Sequence, residues 1–237
     1  MPEPARRPLP ADYDHDPDRF AANQASTAAF SRIGDVHGPV ARGLAGTGVL
    51  TVLDLGGGTG TLVRALAAEG LRAVVVDTAA HVARSPRPAV RADLRALPFR
   101  DASFPAAACL WVLYHLDDPR AALREAARVL EPGGWFVACT SARDNDPELA
   151  SVLPDWGSPG TFDAEDAAAI VASEFDVVEV ERWDAPLIHL PDPGALRLFL
   201  RGRGLDEDEA RRAAGRFATP LAVTKRGCLV RGRRRRR

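Results

Sequence analysis

Residues 52–60 read Val-Leu-Asp-Leu-Gly-Gly-Gly-Thr-Gly: an acid, Asp54, followed by glycines at 56, 57, 58 and 60. A short β-rich run, Val49 to Leu53, leads into them, and a stretch of helical composition, Thr61 to Glu69, leads out. Glycine lets the main chain turn with positive φ and lie against a ligand with no side chain between. The first turn of the following helix offers free N–H groups and partial positive charge, which suits a carboxylate or a phosphate. Asp77 comes about 20 residues later, the interval at which an acid meets the hydroxyls of a ribose. It ends a second apolar run, Ala73 to Val76. A lone acid at a strand end is also a common turn former or helix cap. Behind these glycines it points to a nucleoside-bearing ligand.

The spacing discriminates among such ligands. A dinucleotide turn needs Gly-x-Gly-x-x-Gly. Counted from Gly56 the last position is Thr61, and from Gly58 it is Val63. A P-loop needs a lysine after its glycines, and the only lysine here is Lys225. That residue, in a late strand-like segment, is also the only one able to form a Schiff base. The cysteines, Cys109, Cys139 and Cys228, form neither Cys-x-x-Cys nor a zinc spacing, so no metal site is expected. Two of them, Cys109 and Cys139, lie in apolar strand-like runs, as buried reduced thiols of a reducing compartment do.

Two further segments follow in order. Arg91-Ala92-Asp93-Leu94 precedes Leu97-Pro98-Phe99. Leu113-Tyr114-His115-Leu116-Asp117-Asp118-Pro119 precedes a helical stretch that closes on Leu130-Glu131-Pro132-Gly133-Gly134. With the Asp-x-Gly-x-Gly-x-Gly run, these resemble the class I S-adenosylmethionine-dependent methyltransferases. Among those they resemble the type 11 domain of ubiquinone- and menaquinone-biosynthesis methyltransferases. The resemblance covers residues 49 to 140. It departs at Gly57, where Cys or Ser is frequent, at Phe104-Pro105, where Phe-Asp is usual, and at Tyr114, where a first His is common.

The resemblance implies S-adenosyl-L-methionine as cofactor and S-adenosyl-L-homocysteine as product. The implied cofactor-binding residues are Asp54, Gly56, Gly58, Gly60, Asp77, Asp93, Leu94 and Cys109. Asp77 would take the ribose hydroxyls, Asp93 the adenine amino group, and the Leu94 main-chain N–H a ring nitrogen. On the acceptor side His115 is the candidate general base, and Tyr114 could share that role or orient the acceptor. Helix capping or packing is the alternative for His115. His37, His189, Tyr13 and Asp14, in the expected cap, could also reach an acceptor.

The acceptor is constrained mainly by exclusion. After Cys109-Leu110-Trp111-Val112 no [Asp/Asn]-Pro-Pro-aromatic run follows, which argues against amino methylation of adenine, cytosine or glutamine. No Pro-Cys pair offers a 5-methylcytosine nucleophile, and Asp117 with Asp118 is too little for a metal-assisted catechol enzyme. The net charge of -1 gives no general bias toward nucleic acid. The expected partner is therefore a small hydrophobic or phenolic molecule, methylated on O, N or C. Alternatives are non-methylating or regulatory use of the same cofactor, and an RNA methyltransferase using the arginine run Arg233 to Arg237. The first residues lack the apolar stretch of a signal peptide and no run is long enough to span a membrane, so a cytoplasmic location is expected. Oligomeric state is left open.

The elements that must carry these residues alternate. Strands are expected at 49–53, 73–76, 89–92, 106–111, 135–140 and 177–183, and a last one at 222–230. Helices lie between them, so the reading is βαβ units and a mostly parallel sheet. The expected fold is a three-layer α/β/α Rossmann-like methyltransferase sandwich of seven strands. Its last strand would be antiparallel, as the resemblance implies, and a helical cap would be added. The expected segments are a helical cap at 1–45, a cofactor-binding core at 46–183, a cap insertion at 184–219, the last core strand at 220–230 and a disordered basic tail at 231–237.

Overall fold

Short runs of Val, Leu and Ala, buried on both faces, make the centre of a parallel sheet. In the computed structural model, which describes residues 6–9, 14 and 16–236, these are β1 (Thr51–Leu55), β2 (Arg72–Asp77), β3 (Ala89–Arg91), β4 (Phe104–Leu110) and β5 (Leu130–Ser141). β6 (Phe175–Leu190) and β7 (Leu221–Arg234) complete a seven-stranded sheet of order β3-β2-β1-β4-β5-β7-β6. β1 pairs in parallel with β2 and β4, β2 with β3, and β4 with β5. The sheet is mostly parallel with one antiparallel strand, and helices flank it. The helices are α1 (Pro17–Phe30), α2 (His37–Ala45), α3 (Thr61–Ala68), α4 (Pro119–Val129), α5 (Ala167–Val171), α6 (Pro193–Gly202) and α7 (Glu207–Ala214).

Local chemistry sets the helix ends. Asp118 accepts from Arg120 N and Pro119 opens α4 with φ already set. Asp206 and Glu209 form a reciprocal capping box on α7. α5 is preceded by a turn in which Asp163 O accepts from Asp166 N and Ala167 N.

The chain divides into two compact units. One comprises Val36–Thr140, Thr161–Arg182 and Cys228–Arg237. Its core includes Val52, Leu53, Leu66, Val75, Ala107, Leu123 and Phe136, and Phe136 stacks on Phe175 with ring centroids 4.4 Å apart. α2 belongs to this unit, with Val40, Ala41 and Leu44 buried, whereas the sequence reading grouped it with α1.

The arginine tail is the clearest correction. β7 continues to Arg234, and the basic residues are tied down within the same unit. Arg234 donates to Arg128 O and Leu130 O, Arg235 to Ala172 O at 2.7 Å and Ser173 O at 3.1 Å, and Arg233 to Gly133 O at 3.0 Å. Carbonyls where α4 and α5 end carry partial negative charge and lack helical partners, so guanidinium groups satisfy them. The Arg233 guanidinium also lies 3.9 Å above the Trp135 ring. Arg237 lies outside the described residues.

The other unit comprises Met1–Asp35, Ser141–Gly160 and Trp183–Gly227. Leu190, Leu196, Phe199, Leu200 and Val223 form its core. Gly202 lets α6 approach α1 closely: a Cβ there would lie 2.8 Å from Asn23 Cα. Lys225 is bound here to the buried Asp146 at 2.5 Å, and Arg203 takes the other carboxylate oxygen at 2.7 Å. Burial, together with Arg203, pushes Lys225 down to about 8.

Candidate active site

β1 ends at Leu55 and the chain turns on glycine. Gly56, Gly58 and Gly60 all have positive φ, at 73°, 54° and 81°. Gly56 N and Gly57 N donate to Val76 O at 2.7 and 3.3 Å, so the turn is sewn to the end of β2. Gly60 is the N-cap of α3. The side-chain space at Gly56 and at Gly60 is already taken. A Cβ at Gly56 would lie 2.4 Å from a Val112 methyl, and one at Gly60 would lie 2.4 Å from Ser85 Oγ.

Asp54 sits under this turn, 2% exposed. A Cβ at Gly57 would lie 2.2 Å from its Oδ2 as the side chain stands here. Asp54 Oδ2 and Ser85 Oγ are buried without a hydrogen-bond partner in the described structure. Burial pushes the Asp54 carboxyl up to about 7; His37 opposes the shift and Asp77 adds to it. His37, read from sequence as a cap residue, opens α2 in the same unit as the glycine turn. No local pattern at residue 37 signals that long-range placement.

Asp77 braces the turn from β2. Its Oδ2 accepts from Gly58 N at 2.9 Å and its Oδ1 from Ala79 N at 2.8 Å. A carboxylate has about four acceptor positions, so two remain for other donors. Asp93 follows β3 and is forked by Arg95, with Nη2 to Oδ2 at 2.8 Å and Nε to Oδ1 at 3.1 Å. Hydrogen bonding to Arg95 holds its carboxyl below the usual range. Leu94 beside it is buried. Cys109, in β4, is buried, and desolvation raises its thiol well above the usual range, with Asp54 and Asp77 adding to the effect. It therefore offers neutral surface and no thiolate.

After β4 the chain passes Trp111, whose φ of 62° is left-handed, into a 3-10 turn at Leu113–His115. Tyr114 and His115 stack obliquely with ring centroids 4.6 Å apart. Thr161 Oγ1 donates to Tyr114 O at 3.4 Å. Both rings are half-buried. Thus Asp54, the glycines, Asp77, Asp93, Leu94, Cys109, Tyr114 and His115 all belong to one unit. Asp14 and His189 are exposed and belong to the other; Tyr13 lies outside the described residues. Among the described residues no group of three or more His, Cys, Asp or Glu is arranged to hold a metal.

Sequence and fold relate the chain to known proteins. A family model described as a methyltransferase domain, of type 11, matches residues 53–138. The chain is 37% identical over 199 residues to a demethylmenaquinone methyltransferase of Clavibacter sepedonicus, covering 71% of this chain and 76% of that one. A protein of the same name from Corynebacterium urealyticum is 36% identical over 109 residues, which span 44% of this chain and 47% of the relative. Among solved structures the cyclase SpnF superposes with a TM-score of 0.65 at 16% identity, covering 98% and 99% of the two chains. The N-methyltransferase NodS of Bradyrhizobium japonicum, solved with S-adenosylhomocysteine, gives 0.59 at 17% identity, covering 94% and 99%. Those two likenesses are of fold. The sequence relationship goes further: the chain belongs to the class I S-adenosylmethionine-dependent methyltransferases of the type 11, menaquinone-methyltransferase-like kind, and is a methyl-transferring enzyme.

Proposed function

We propose that the glycine turn after β1 holds S-adenosylmethionine and that the chain methylates a small phenolic or hydroquinone-like acceptor by in-line displacement at the sulfonium methyl. The observation that carries this reading is the buried Asp54 carboxylate, with Oδ2 unpartnered beneath the turn. Burying a lone carboxylate is costly, and a cationic ligand recovers that cost. S-adenosylmethionine carries both an ammonium and a sulfonium. The fit extends along the site: Asp77 keeps acceptor positions for ribose hydroxyls, and Asp93 with the buried Leu94 suits an adenine edge and face.

When bound, the cofactor supplies a methyl group already activated on positively charged sulfur. The protein then has to align the acceptor and exclude water, which can supply about 7–11 kcal/mol. His115 accepts the acceptor's proton as its oxygen, nitrogen or carbon attacks, and Tyr114, oblique to it, orients the acceptor ring. The names of the curated relatives make demethylmenaquinone, reduced to its quinol, the first acceptor to assay. Mass analysis of the product tests the reading: a gain of one methyl group supports it. Acceptor consumed without that gain would favour non-methylating chemistry on the same cofactor.

A further inference from the structure

The adenine end of the site contains a competitor. Asp93 Oδ1 accepts from Arg95 N at 2.8 Å and Nε at 3.1 Å; Oδ2 accepts from Nη2 at 2.8 Å and Nε at 3.2 Å. These three donors take about three of the four acceptor positions of a carboxylate. An adenine amino group is a neutral donor, and it meets charge-assisted bonds of about twice the strength. An adenine amino group reaching Asp93 has about one position left to it and competes with the guanidinium for the rest.

Arg95 has somewhere to go. Its Nη1 is already 3.5 Å from Asp117 Oδ1. Asp117 is 74% exposed and lies two residues past His115, next to Asp118, the N-cap of α4. The backbone beyond Arg95 is fixed independently. Leu97 N donates to Glu125 Oε2 at 2.9 Å, and Arg128 Nη2 donates to Leu97 O at 3.0 Å. A swing of Arg95 therefore needs no change in the strand or the loop, only in one exposed side chain.

We infer that Arg95 is a positioning residue that exchanges carboxylates: it holds Asp93 in the arrangement seen here and passes to Asp117 when an adenine amino group donates to Asp93. This rests on the reading of Asp93 as the adenine-binding acid. The exchange links occupation of the adenine subsite to the segment that carries Tyr114 and His115. It also lowers affinity for substrate and product alike, which favours product release.

The test compares S-adenosylhomocysteine with its 6-deamino analogue, hydrogen replacing the amino group, by calorimetry on the full chain. Arg95→Ala should tighten S-adenosylhomocysteine about two- to fivefold, the scale of an exposed ion pair, and leave the analogue unchanged. Asp117→Asn removes the second carboxylate and should weaken S-adenosylhomocysteine about twofold, again sparing the analogue. Weaker or unchanged binding of both ligands by Arg95→Ala would overturn the exchange. Asp93→Ala separates the two readings. If the preference for the amino-bearing ligand survives that change, the adenine assignment itself fails. If the preference collapses while Arg95→Ala does nothing, only the exchange fails.

Discussion

Asp54 is where function and stability oppose each other. Its carboxyl has an ordinary value of 3.8 and is pushed up to about 7 in the fold. Below pH 3.8 it is protonated in folded and unfolded chains, and its burial costs little. From there to about 7 the unfolded chain ionises while the folded one does not, so stability falls as pH rises; above about 7 the penalty is constant. Asp54→Asn should therefore raise stability at pH 8 by on the order of 3 kcal/mol and flatten its pH dependence between 4 and 7, while weakening cofactor binding. Thermal melts across that range check the first part. A less stable Asp54→Asn at pH 8 would contradict the account.

Asp77→Ala should cost about 1–3 kcal/mol of cofactor affinity through lost charge-assisted hydrogen bonds. It should also lower the melting temperature, since Gly58 N and Ala79 N lose their acceptor. Calorimetric affinity within twofold of the unsubstituted chain would remove the ribose assignment. His115→Ala should leave cofactor affinity unchanged and slow methyl transfer at least ~10²-fold. Unchanged turnover in a single-turnover assay would return His115 to a packing role.

At the scale of elements, what is local was legible. The glycine turn, the Asp118-Pro119 start of α4 and the apolar runs of β1, β2 and β4 each announce themselves within a few residues. The positions of Asp54, Asp77 and Asp93 at or just after the ends of β1, β2 and β3 were legible for the same reason. What depends on distant partners was not. Nothing near His37 shows that its charge will bear on the Asp54 carboxyl, 17 residues further on. The basic residues after Val230 read as a solvated tail because their acceptors are carbonyls of Arg128, Leu130, Ala172 and Ser173, far away in the chain. That contact makes a prediction at this scale. Deleting residues 233–237 should destabilise the fold by about 2 kcal/mol, from several hydrogen bonds worth roughly 0.5–1.5 kcal/mol each. It should leave salt-dependent RNA binding unaltered. Unchanged melting with lost RNA binding would instead favour the nucleic-acid reading of the run.

At the scale of the molecule, family membership and fold establish a methyltransferase, and the chemistry of its turn argues for the cofactor from below. Among the described residues no helix is long and apolar enough to cross a membrane.

The central claim is that the glycine turn over Asp54 binds S-adenosylmethionine. Calorimetric titration of the folded chain at pH 8, with S-adenosylmethionine and then S-adenosylhomocysteine, tests it most directly. The account predicts saturable one-to-one binding of both ligands, weakened by Asp54→Asn and by Asp77→Ala. A folded protein that binds neither ligand, or binds them equally well without those two carboxylates, would contradict it.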